Sequence, residues 1–277
     1  MTMRKVKGGL RGFIIVLICM IEIYPLFWML TASLKQQHEW SENPAYALNK
    51  GFYVQNYADA WTRGNMAVFF KNSLITTLIS LVFIVIFSVT VGFAVTKMQW
   101  KLRKAVAKYF TFGIMIPVAV ALIPLFQIYN KAHLLNTRAC LILTYIAFGL
   151  SLSIYLVQGY LRSFPDDIME AAVIDGCGIY KMMWHIVVPL MKNAIVTVLV
   201  LQFFFKWNDL LFSMTFISDS SLKTIQTGLL YFSDEFGSKN WGAIFASVSM
   251  SVFPMLILYT VLNKKLMEGM MAGAVKG

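Results

Sequence analysis

Polar and apolar positions fall into long blocks along this chain rather than into short alternating runs. Near-continuous apolar stretches cover about residues 12–34, 69–96, 107–130, 139–161, 192–217 and 240–263. Each is close to the ~20 residues a helix needs to cross the hydrocarbon core of a bilayer. Barrel strands would be about half as long and would alternate. The pattern predicts an all-α membrane protein, with six transmembrane helices forming one domain over residues 1–277. The first stretch follows Arg4, Lys5, Lys7 and Arg11, as the core of a signal peptide would. It is too long for that and no small-x-small site closes it, so it reads as an uncleaved first span. Pro25, Pro117, Pro124 and Pro254 lie inside the runs. Each removes a backbone hydrogen bond and is expected to kink its helix, with Pro117 and Pro124 marking the most bendable one.

Composition strengthens this picture. The chain is 58% hydrophobic and 13% charged, against about 25% charged residues in soluble domains. Its net charge of +11 has a topological cause that needs no nucleic acid. With both termini in the cytoplasm, 15 of the 24 Lys and Arg lie in inside segments and eight in outside ones, with Lys206 in a span. That is the asymmetry of the positive-inside rule. Cys19, Cys140 and Cys177 are too few for a disulfide framework and have no metal spacing. His38, His133 and His185 form no metal or catalytic set. A phosphate-binding loop needs Gly-Lys followed by Ser or Thr. No Gly-Lys pair occurs, so the chain is not expected to be an enzyme that hydrolyses ATP.

The loop over residues 162–190 differs in kind from the others. Ser163 followed by Asp166 has the form of a capping box, and Pro165 suits a first helical turn. The first helix then runs through Glu170, Ala171 and Ala172, and Gly176 and Gly178 are positioned to break it. A second helix places Ile179, Met182, Met183 and Ile186 on one apolar stripe, and Pro189 opens the fifth span. Such a stripe has three candidate surfaces: a partner's groove, its own chain or lipid. Methionines suit the first.

Lys206 and Asp209 are ionisable residues within a span, three apart on the same expected helix face. They form either an internal ion pair or part of a water-lined path or gate. Trp207 offers a stacking face and Asn208 an amide for hydroxyl groups. Glu22, in the first span, reads as an inter-helix or partner contact.

Glu170-Ala171-Ala172, Gly176 and Ile186-x-Val188-Pro189 are spaced as in the EAA motif. The chain thus resembles the permease subunits of binding-protein-dependent ABC importers, with Val188 where leucine is usual. Tyr24-Pro25, Asn56-Tyr57, Asn72-Ser73, Trp207-Asn208-Asp209 and the tail from Glu268 to Gly277 resemble the carbohydrate branch, nearest the smaller maltose-type permease. The similarity covers nearly the whole chain.

This resemblance implies the type I ABC importer permease fold in a bacterial or archaeal inner membrane, with the termini cytoplasmic. It implies a second, larger permease, two ATP-binding subunits that use ATP and Mg, and an extracellular or periplasmic sugar-binding protein. No cofactor and no metal would be held by this chain. Glu170, Ala171, Ala172 and Gly176 carry over as the elements that dock into the ATPase, in the segment that holds Ile179, Met182, Met183, Ile186 and Pro189. The tail, 264–277, resembles one that enters the ATPase interface through Glu268, Gly269, Gly273, Lys276 and Gly277. The segment from about 217 to 241 resembles one that probes the binding protein. The cargo implied is a di- or oligosaccharide of raffinose or multiple-sugar type. The competing classes are an ion-gradient-driven carrier or channel, and an intramembrane enzyme.

Overall fold

A computed structural model describes the backbone of residues 2–235 and 240–274, and the side chains of 11–230 and 240–263. The described residues are mostly helical, with no strand. In order, the helices are α1 (Thr2–Ser33), α2 (Glu39–Glu42), α3 (Gln55–Thr62), α4 (Met66–Lys97), α5 (Arg103–Gly113), α6 (Val118–Lys131) and α7 (Arg138–Leu161). Then follow α8 (Asp167–Ile174), α9 (Ile179–Met182), a π turn (Met183–Val187) and α10 (Val188–Leu190). The chain continues through α11 (Lys192–Trp207), α12 (Leu211–Phe216), α13 (Ile225–Glu235) and α14 (Trp241–Ala274).

Four of these are long and apolar enough to cross a bilayer: α4, α7, α1 over Arg11–Ser33, and α14 over Trp241–Asn263. Two further candidates are bent pairs rather than straight spans. Between α5 and α6 the axis turns by 102°, and between Ile179–Leu190 and α11 by 75°. The first break lies at Pro117, which precedes α6 in an extended conformation. Proline cannot donate to a preceding turn and drives the residue before it out of the helical region. The third expected span is therefore two helices, and Pro124 sits inside the second of them. The fifth expected span also divides, with α11 ending at Trp207 and α12 beginning at Leu211.

The chain divides into two compact units, Met1–Ala67 with Gly228–Phe253, and Val68–Thr227 with Pro254–Gly277. In the first, Phe245 of α14 receives Trp28 edge-on at 5.1 Å and stacks on Trp40 at 5.3 Å. Buried Asn56 donates to the carbonyls of Ser33 and Lys35, each at 2.8 Å, closing the turn after α1. Buried Glu39 accepts the N–H groups of Gln36 and Lys50. Burial alone would raise its pKa, but those bonds and the nearby His38 and Lys35 charges hold it below the ordinary carboxylate value. The membrane window of α1 has none of its residues buried, and Glu22 is exposed there.

The second unit holds the main core. Ile84, Val89 and Phe93 of α4 pack with Val157 and Leu161 of α7 and with Ala194 and Val198 of α11. Glycines permit the close approach. A Cβ on Gly149 would come 2.5 Å from Ile84 Cδ1 and 3.1 Å from Gln202 Oε1. Gly159, on the same helix, has open space around it. Overpacking of a tight core costs about 1–3 kcal/mol. Gly149→Val is therefore expected to lower the thermal midpoint of the detergent-solubilised chain, while Gly159→Ala leaves it unchanged. Equal midpoints for both variants would show that α4 and α11 do not approach α7 as described.

Candidate functional site

The loop that follows α7 is a helical hairpin whose turn explains the sequence motif. At the end of α8, the N–H of Gly176 bonds the Val173 carbonyl at 3.0 Å and that of Cys177 bonds the Ala172 carbonyl at 2.9 Å. These two bonds form a Schellman motif, which needs a left-handed residue just past the helix. Gly176 supplies it with φ of +70°. Ala172 is buried beneath the turn, whereas Glu170 and Ala171 are exposed.

The start of α8 is built differently from the expected capping box. Ser163 donates back to the Tyr160 carbonyl, and Asp166, at the N-cap position, makes no side-chain capping bond. Its carboxylate instead accepts from Lys97 Nζ at 2.7 Å, while that ammonium also donates to the Phe164 carbonyl at 3.0 Å. Lys97 ends α4, so the loop is tied to the end of a span. The sequence held the signal in the lone basic residue that closes the 69–96 run.

Of the three candidate surfaces for the apolar stripe, its own chain takes most of it. Met182 and Met183 are buried in the main core with Val187 and Met191, and Ile186 packs against the same cluster. These residues root the loop in the core of its own chain. The i, i+3, i+4, i+7 spacing revealed that a face is buried but not against what. Pro189 has no N–H to return to the preceding turn, and the helix before it widens into the π turn. What the hairpin presents outward is Ile174 at 84% exposed, Tyr180 at 78% and Val173 at 62%, with Ile179 half as exposed. Sequence reasoning missed the first three because they fall outside the stripe.

A second polar cluster lies where α11 ends. A cavity of about 310 Å³ is lined by Tyr145, Ser151, Gln202, Lys206 and Asp209 among apolar neighbours. Asp209 accepts from Tyr145 Oη at 2.8 Å and from the N–H groups of Phe212 and Ser213 at 3.2 and 3.0 Å. It thereby caps α12, in the manner of a carboxylate at a helix N-terminus. Lys206 Nζ lies 5.6 Å from the centre of the Tyr145 ring. Of the two alternatives for this pair, no Lys206–Asp209 ion pair is formed among the described residues, because Asp209 lies past the end of α11 and is turned toward α12, and both residues line the cavity. Gln202 donates to the Gly149 carbonyl and to Ser153 Oγ, each at 3.1 Å, while its Oε1 has no partner.

Trp207 and Asn208 do not join this cavity. Trp207 is 1% exposed, stacked on Phe203 at 5.2 Å and met edge-on by Phe70 at 5.4 Å. No face remains for a ligand. Asn208 donates to the Phe204 carbonyl and Met255 Sδ and accepts from Gln226. Gln202 was legible in the sequence, being four residues before Lys206 and seven before Asp209 on one helical face. Tyr145 comes from another helix, which periodicity cannot pair.

After α12 the chain is pinned. Asn136 Oδ1 accepts from the N–H groups of Ser218 and Asp219, and Asn72 donates to the carbonyls of Ser221 and Lys223 while accepting from Arg138. Ser73 Oγ accepts the Ile225 N–H. In the tail, Glu268, Gly269 and Gly273 belong to α14 by backbone, and their surroundings lie outside the described residues. Lys276 and Gly277 lie outside them entirely.

Residues 84–268 match the family model described as the binding-protein-dependent transport system inner membrane component. The chain is 32% identical over 276 residues to a probable starch degradation products transport system permease protein of Thermoanaerobacterium thermosulfurigenes, covering 99% of this chain and 100% of that one. It is 31% identical to the melibiose/raffinose/stachyose import permease protein of Bacillus subtilis over 91% of each chain. Its fold superposes with a TM-score of 0.84 on a chain of a bacterial ABC transporter that imports the acidic polysaccharide alginate. That chain is 19% identical, and the match covers 95% of this chain and 98% of the other.

An ion pair with one exposed partner contributes at most about 1 kcal/mol, so loss of Lys97 should act locally. Lys97→Met is expected to speed amide exchange over residues 163–176 while α4 and α7 keep wild-type protection. Unchanged exchange in that segment would show that Lys97 does not tether the loop.

Proposed function

We propose, because this chain belongs to the family of binding-protein-dependent transport system inner membrane components, that it is one permease subunit of an ABC sugar importer. It pairs with a second, larger permease to form the translocation path, and two ATP-binding subunits dock beneath it. A sugar-binding protein delivers a di- or oligosaccharide of raffinose or multiple-sugar type at the outer face. The relatives named for starch degradation products and for melibiose, raffinose and stachyose support that class. Both termini face the cytoplasm, in keeping with the excess of Lys and Arg on that side.

The observation that carries this reading is the hairpin of residues 163–189. Its outer surface offers Ile174, Tyr180 and Val173 to a partner, with Glu170, Ala171 and Gly176 also exposed. Its inner surface is fused to the spans through Met182, Met183 and Val187. A push on the outer surface therefore reaches α4, α7 and α11 without a slack joint. ATP and Mg act in the partner, whose two states make different contacts with the hairpin and so shift the spans between inward- and outward-facing arrangements. Lys206, Asp209, Tyr145 and Gln202 line a part of the path or gate that opens and closes with that motion. Trp207 and Asn208 support it from behind.

Gly176→Leu tests the coupling. The left-handed turn costs a residue with a Cβ about 1–2 kcal/mol, and the site is open, so insertion and overall folding should survive. Sugar uptake by the reconstituted importer is expected to fall at least tenfold, a change of about 1.4 kcal/mol in effective barrier, while ATP hydrolysis continues uncoupled. Full uptake in this variant would count against the hairpin as the lever. Uptake driven by a proton gradient without ATP would instead favour the ion-coupled carrier.

A further inference from the structure

A cavity of about 220 Å³ lies between the end of α4, the start of α5 and the end of α7. Its polar walls are Thr96, Arg103, Lys104, Gln158 and Arg162, with small apolar residues completing it. No carboxylate lines it. Three cationic side chains thus converge on one small hollow.

The hollow is rich in unused donors. Gln158 is 5% exposed, and its Nε2 has no hydrogen-bond partner. Its Oε1 receives Arg162 Nη2 at 3.5 Å, which turns the amide so that N–H groups remain free. Thr96 Oγ1, on the same wall, is also buried and unpartnered. Arg103 gives one N–H to the Met98 carbonyl at 3.2 Å, out of the five that a guanidinium carries. Buried donors are costly to leave unmade, and like charges facing one another repel. Both costs are removed by a single ligand with several acceptor oxygens and negative charge. Guanidinium forks match phosphate oxygens in pairs.

We propose that this cavity binds a phosphate group, contributed either by the headgroup of an anionic phospholipid or by soluble phosphate. The cavity sits where the apolar run of α4 ends, the level at which headgroups lie and at which basic pockets between helices hold them. Its walls adjoin the hairpin directly. Arg162 is the first residue after α7, and Thr96 precedes the Lys97 that holds Asp166. A bound phosphate ties α4, α5 and α7 together at the root of the hairpin. The inference is independent of the sugar and of the ATP-binding partner.

The test uses the full chain purified in detergent and stripped of lipid. Native mass spectrometry measures retention of phosphatidylglycerol against phosphatidylcholine, and thermal shift measures the response to inorganic phosphate against chloride at equal ionic strength. Wild type should prefer phosphatidylglycerol or respond to phosphate. The first result assigns the group to a lipid, the second to a soluble anion. Lys104→Gln removes one exposed cation and is expected to weaken binding about fivefold, the equivalent of about 1 kcal/mol per basic residue. Gln158→Glu is isosteric and places an internal anion beside Arg162. It should abolish binding while the ligand-free chain keeps its thermal midpoint, which separates loss of the site from loss of the fold. The inference is overturned by wild-type retention that is equal for both lipids with no phosphate response. It is equally overturned by a preference that persists unchanged in both variants.

Discussion

Burial of one apolar face of the hairpin against the spans is the contact on which the rest depends. Met182, Met183, Val187 and Met191 share a core with Ile84, Val89 and Phe93 of α4, Val157 and Leu161 of α7, and Ala194 and Val198 of α11. Buried side chains of this kind contribute about 1.5–3 kcal/mol each relative to exposure, and interiors at such density transmit displacement rather than absorb it. The hairpin is consequently an extension of the span core. Lys97 adds a polar tether at its near end, and the turn at Gly176 sets the direction of its far end.

The intramembrane polar cluster follows a different constraint. A helix that stops inside an apolar layer leaves backbone donors exposed, and those must be satisfied from within the protein. Asp209 does so for α12, and Tyr145 bonds the same carboxylate. The interruption between α11 and α12 thereby has a hydrogen-bonded carboxyl group at its centre and a cavity beside it. Non-helical backbone at membrane depth is tolerated where it is buried in protein or lines such a cavity. The break between α5 and α6 borders the same cavity through Gly113, Ile116 and Val118.

Much of this was legible in the sequence, and the misses have physical causes. Long apolar runs gave the helices, because continuous hydrophobicity depends on residue type alone. They did not give the angles of the bends at Pro117 and at Met191, since a proline marks a weak point without setting an angle. Gly176 was legible because its left-handed turn has a local cause in residues 172–177. Met182 and Met183 were legible as one buried face, but the surface that buries them is formed by helices up to about a hundred residues away in sequence. Ile174 and Tyr180 were missed for the converse reason, as periodicity locates what packs inward and is silent about what is left outside. Trp207 was misjudged on chemistry alone, because an indole offers a stacking face only where Phe203 and Phe70 have not already taken it.

If this chain is moved from outside, the exposed apolar tip of its hairpin must touch the subunit that moves it. The most direct measurement places a photoreactive amino acid at Ile174 in the complex assembled in native membranes and identifies what it captures on illumination. A crosslink to a nucleotide-hydrolysing subunit is expected, at a yield that changes between ATP-bound and nucleotide-free states. Capture of lipid alone, with no protein adduct in either state, would contradict it.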